Sequence, residues 1–188
     1  MGRWEPNARE RLATAALELY SERGYEQTTV AEIAKRAGLT ERTYFRHYAD
    51  KREVLFDGSG GLQDLFVNAV AEAPASAAPI DAMAAGLDAV ATVFVDRGEH
   101  SRKRQAVIVA NAELQERELI KLASLSAALA DALRRRGVRE PAASLTAEAG
   151  IAVFKIGFER WVAATGEGTL AEAMRESLEQ LKALTAGG

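Results

Sequence analysis

Apolar residues along this chain recur at intervals of three and four, the period of a helix, with no strand-like alternation. Leu12, Ala15, Ala16, Leu19 and Tyr20 line one face of a helix predicted over 8–23, stopped by Gly24. Val30, Ile33, Ala34 and Ala37 do the same for a second helix over 30–37, which ends at Gly38. A short third helix, 41–47, has Leu39, Tyr44 and Tyr48 as apolar anchors. A fourth is predicted from just after Asp50 to about residue 72, with Gly58-Ser59-Gly60-Gly61 inside it. Pro74 and Pro79 bracket an Ala/Ser linker. Five more helices follow, over 81–96, 99–110, 112–136, 144–164 and 169–185. Asn111, the Gly137 to Pro141 stretch, Gly166 and Gly168 supply the breaks between them. Asn7 with Glu10, Thr29 with Glu32, Asp50 with Glu53 and Thr169 with Glu172 have capping-box spacing, in which cap and carboxylate satisfy each other's free amides. The expected fold class is all-α.

The second and third helices, separated by a turn at Gly38, have the proportions of a helix-turn-helix, whose second helix enters the major groove. Charge supports that reading locally. The chain carries a net charge of −3, yet residues 1–52 hold ten Lys/Arg against eight Asp/Glu, and the remainder holds fourteen against nineteen. Within 35–52, Lys35, Arg36, Arg42, Arg46, Lys51 and Arg52 outnumber Glu41 and Asp50. Arg42 suits a guanine edge, and Thr43 a base edge or a thymine methyl. Arg46, His47, Lys51, Thr28 and Thr29 suit phosphates, and Lys35 and Thr40 complete the candidate DNA-binding set. The Arg102-Lys103-Arg104 run reads as a solvated face.

Other chemistry is sparse. There is no cysteine and there are two histidines, so neither a disulfide framework nor a zinc site is expected. The Gly58 to Gly61 run lacks the Lys-Ser/Thr of a P-loop. No catalytic triad, carboxylate pair or metal cluster stands out, so the expectation is a non-enzyme without cofactor or metal. No stretch approaches the ~18–20 apolar residues of a membrane span, and no apolar run follows the N-terminus as in a secretory signal. A soluble, cytoplasmic protein with no membrane partner is expected.

The segments Thr28-Thr29-Val30-Ala31-Glu32-Ile33-Ala34-Lys35-Arg36-Ala37-Gly38-Leu39-Thr40 and Thr43-Tyr44-Phe45-Arg46-His47-Tyr48-Ala49-Asp50-Lys51-Arg52-Glu53-Val54-Leu55 resemble the TetR family of bacterial transcriptional regulators. The resemblance covers about residues 8–56 and includes the Tyr20 to Tyr25 end of the first helix. Two positions depart from it: Phe45 stands where the family often has Tyr, and Arg42 where it often has a small residue. The resemblance implies a three-helix helix-turn-helix DNA-binding domain, 1–52, joined by the fourth helix to a helical effector-binding and dimerisation domain, 53–188. It implies a homodimer paired through the eighth and ninth helices, bound to double-stranded, palindromic operator DNA, commonly as a repressor that a small molecule releases. Candidate lining residues for a mostly hydrophobic effector are Phe66, Met83, Leu87, Val90, Phe94, Ile108, Asn111, Phe154, Phe158 and Trp161.

Overall fold

The computed structural model describes residues 8–164 and 168–186. Among these the secondary structure is helical: α1 (Ala8–Arg23), α2 (Val30–Arg36), α3 (Glu41–His47), α4 (Ser59–Glu72), α5 (Pro79–Ala91), α6 (Gly98–Val109), α7 (Ala112–Arg135), α8 (Ala142–Ala163) and α9 (Leu170–Thr185). Two short 3₁₀ turns, Glu53–Phe56 and Thr92–Phe94, follow α3 and α5. The expected caps at Asn7 and the break at Gly166 lie outside the described residues.

Local chemistry explains most boundaries. Thr29 and Thr169 each accept a hydrogen bond from the amide three residues on, while Glu32 and Glu172 accept one from the cap amide, completing two capping boxes. Both glutamates are held below the usual carboxylate range, chiefly by those backbone amides. Thr40 caps α3 by accepting from the Thr43 amide. At the end of α2, Gly38 takes φ +65°, its amide donates to Lys35 O at 3.0 Å, and the Leu39 amide donates to Ala34 O at 2.8 Å. This is the Schellman pattern, and it needs the left-handed backbone that glycine tolerates.

The predicted fourth helix is broken. Asp50 accepts from the amides of Arg52 and Glu53 at 2.8 and 3.2 Å, as a cap should. The Glu53 carboxylate accepts from Arg117 Nε at 2.5 Å. The helix that starts here lasts one 3₁₀ turn, and Gly58, at φ +80°, separates it from α4. Gly60 and Gly61 therefore sit in the first turn of α4, where the backbone amides have no intrahelical partner anyway. The fifth helix also ends earlier than predicted, at Ala91.

The chain forms two compact units, each built from two stretches of sequence. The first comprises residues 8–58 with 103–118. Its core contains Leu12, Leu19, Tyr20, Ile33, Tyr44, Tyr48 and Phe56, joined by Val107, Ile108 and Leu114 from α6 and α7. The second comprises 59–102 and 119–186, built on Phe66, Met83, Leu87, Leu129, Leu133, Phe154 and Met174. In this unit α8 and α9 approach closely at Gly157, where a Cβ would lie 3.0 Å from Met174 Cα and 3.1 Å from its backbone nitrogen.

Gly157→Ala should destabilise the protein by about 1–3 kcal/mol through overpacking. Gly61→Ala, with nothing within 4 Å of the added methyl, should be neutral or stabilising by up to about 1 kcal/mol. Urea unfolding of the two variants beside the parent checks both signs.

Candidate nucleic-acid interface

The short helix α3 is fixed from below. Tyr44 and Tyr48 are buried and inclined to each other, with centroids 5.3 Å apart. Tyr44 Oη donates to Asp50 O at 3.2 Å and Tyr48 Oη to Arg9 O at 3.1 Å. Tyr20, from α1, donates to Lys51 O at 2.9 Å. Burial pushes all three phenols above their ordinary range, so each remains a donor. Three hydroxyls thus pin the backbone around α3, two of them on the carbonyls of Asp50 and Lys51.

With that face buried, the other is fixed outward. Arg42, Phe45 and Arg46, at helical spacing, are exposed, together with Glu41. Lys35 on α2 and the caps Thr29 and Thr40 are exposed as well. Thr43 is half-buried, its hydroxyl 3.0 Å from that of Thr40. The cations divide into two sets. Arg36 is spent on Glu18 and Glu22, Arg23 on Glu32, and Arg52 on Asp50 and Glu113. Lys35, Arg42 and Arg46 form no ion pair among the described residues and so are available to an external anion.

Three candidates sit differently from their neighbours. Thr28 is 1% exposed, its hydroxyl donating to Gly24 O at 2.8 Å, so its side chain does not face solvent. Lys51 places Nζ 2.9 Å from Tyr25 O and 4.0 Å above the Tyr25 ring. His47 is half-buried, and its Nε2 is covered without a hydrogen-bond partner among the described residues. Arg104, expected on a solvated face, is instead drawn into the first unit. Its guanidinium donates to Leu55 O at 2.8 Å, lies over the Phe56 ring at 5.1 Å and pairs with Glu118 at 3.4 Å. Burial lowers its basicity, and Glu118 offsets part of that.

Comparison with known proteins bears on this geometry. A sequence family described as bacterial regulatory proteins, tetR family, matches residues 12–57, which contain α2, α3 and their turn. A second, described as the MftR C-terminal domain, matches residues 77–186, more than half of the chain. The chain belongs to the TetR family of transcriptional regulators. TcmR of Streptomyces glaucescens, an HTH-type transcriptional regulator, is 39% identical over 82 residues, 44% of this chain and 36% of TcmR. MftR of Mycobacterium tuberculosis (strain ATCC 25618 / H37Rv), named for mycofactocin biosynthesis, is 29% identical over 140 residues, 72% of this chain and 69% of MftR. The chain thus spans about a third of TcmR and about two thirds of MftR. The same fold occurs in the transcriptional regulator FadR from Bacillus subtilis, solved in complex with stearoyl-CoA. That match has a TM-score of 0.61 and 20% identity, and covers 92% of this chain and 96% of FadR. Family members are regulators and not enzymes, and among the described residues no helix is long and apolar enough to cross a membrane.

The candidate effector-lining residues of this TetR-family chain divide between its two units. Phe66, Met83, Leu87, Val90 and Phe154 share the core of the second unit, with Phe94, Phe158 and Trp161 packed against it. The last three form a mutual edge-to-face cluster with centroids 5.6–6.1 Å apart. Ile108 and Asn111 belong to the first unit; Ile108 is fully buried there, and the Asn111 amide donates to Val107 O at 2.7 Å.

Removing the side-chain donors of the two tethered residues should show as lost stability. Lys51→Met and Thr28→Val should each lower unfolding stability by about 1 kcal/mol, because the carbonyls they serve lose a donor. Thermal unfolding checks this; an unchanged midpoint would mean the two contacts contribute nothing.

Proposed function

We propose that the chain is a ligand-responsive repressor that binds a palindromic operator as a homodimer through α3. The observation that carries this reading is the sorting of cations: neighbouring arginines are consumed by carboxylates, while Lys35, Arg42 and Arg46 face outward, unpaired among the described residues, beside a rigidly seated short helix. Phosphate contacts from such cations fix register, and side chains at the helix start read bases. Lys35 and Arg46 serve as phosphate contacts, with Thr29, Thr40 and His47 at the rim. Arg42 and Thr43 face base edges.

The dimer is proposed to form through α8 and α9. Both bury one face in the core of their unit, yet Leu145 and Ile156 on α8 and Leu184 on α9 are 65%, 50% and 82% exposed. Apolar side chains of this size on two adjacent helices suit a symmetric, self-complementary contact. The effector is proposed to be mostly apolar and to enter among Phe94, Phe158 and Trp161, the half-buried aromatics of the second unit. FadR, which has the same fold, was solved with stearoyl-CoA, whose acyl chain is apolar, and this supports the reading.

Selection of sites from random duplex DNA should enrich a palindrome. Arg42→Ala and Arg46→Ala should both bind it more weakly. The slope of log affinity against log salt should fall by about 1 unit per protomer for a lost phosphate contact, as at Arg46, and less for a lost base contact. Recovery of no enriched sequence would contradict the reading.

A further inference from the structure

The outward face of α3 carries one residue that phosphate binding does not explain. Phe45 is 54% exposed, placed between Arg42, three residues before it, and Arg46 beside it. A large aromatic in water between two unpaired cations gains nothing from the fold around it. Its ring is nonetheless oriented: it meets the ring of Tyr44 edge-on, with centroids 5.6 Å apart and planes at 78°. Tyr44 is itself fully buried and tied to Asp50 O. The Phe45 ring is therefore aimed by a rigid neighbour, which cuts the entropy lost when it meets a partner.

The flanking charges define that partner as a polyanion, and within a duplex the choice narrows further. Phe45 has no hydroxyl to give a phosphate. Base edges in the major groove present polar donors and acceptors, against which an apolar ring would leave groups unpaired; the projecting apolar group is the thymine 5-methyl. Resting on the DNA-binding reading above, we propose that Phe45 is a specificity residue that packs on a thymine methyl in each half-site, while Arg42 and Arg46 hold the helix against the flanking polar groups.

The test uses the full-length protein and its selected operator. Each thymine is replaced in turn by deoxyuridine, which removes the methyl and nothing else. Wild type should lose about fourfold in affinity per half-site at one symmetric position, the worth of one buried methyl-sized group. Phe45→Ala should bind the thymine operator more weakly and show no further loss with deoxyuridine at that position, and Phe45→Leu should retain part of the discrimination. The exposure of Phe45 makes both variants foldable, and circular dichroism confirms it before binding is measured. If wild type binds its operator but tolerates deoxyuridine everywhere, the inference is overturned and DNA binding stands. It is overturned equally if Phe45→Ala keeps the full deoxyuridine penalty, or weakens both operators by the same factor. If wild type enriches no sequence at all, the DNA-binding reading fails and the inference with it.

Discussion

Everything proposed for α3 depends on three tyrosine hydroxyls that hold the backbone around it. A seven-residue helix has too few internal hydrogen bonds to persist alone. Tyr44 and Tyr48 extend from it into the core, and Tyr20 meets it from α1; their hydroxyls end on Asp50 O, Arg9 O and Lys51 O. Each ring contributes apolar burial; the Tyr44 and Tyr20 hydroxyls donate to carbonyls in the turn after α3, and the Tyr48 hydroxyl ties the end of α3 to α1. One face of the helix is thereby committed to the interior, and the orientation of Arg42, Phe45 and Arg46 follows from that commitment.

Carboxylates complete the arrangement by deciding which cations stay available. Glu18 and Glu22 on α1 hold Arg36, and Glu32 holds Arg23 while serving as a capping residue. These surface pairs add little stability. Their effect is to neutralise one flank of the unit and leave positive potential around α3, on a chain whose net charge is −3. Phe45 then supplies an apolar contact where the arginines supply charge.

The features legible in the sequence are those set by residues a few positions apart. The Thr29–Glu32 and Thr169–Glu172 boxes, the Thr40 cap and the Gly38 turn form as expected because each closes within five residues. What escaped the sequence depends on distant partners. Asp50–Glu53 has capping-box spacing, yet Glu53 accepts from Arg117, 64 residues away, and the predicted long helix becomes a 3₁₀ turn followed by α4. Arg104 sits in a run of three cations that reads as solvated, yet it reaches Leu55 O, 49 residues back. The packing of 103–118 with residues 8–58 follows from such contacts, and it puts Ile108 and Asn111 in the first unit, while the other candidate effector residues belong to the second. Of the DNA-binding set, Thr28 and Lys51 are hydrophilic residues whose polar atoms turn inward to Gly24 O and Tyr25 O, a choice that residue type does not reveal.

The absence of native cysteine allows one measurement to test the central claim, that the outward face of α3 is the surface laid against DNA. A single cysteine at Glu41, at the exposed start of α3, would carry an iron chelate that cleaves DNA within reach; the same chelate on a cysteine at Glu179, exposed on α9, serves as the reference. Cleavage is expected at two symmetric positions in the selected operator from the α3 probe, and none above background from the α9 probe. Equal cleavage from both, or cleavage from α9 alone, would contradict that claim.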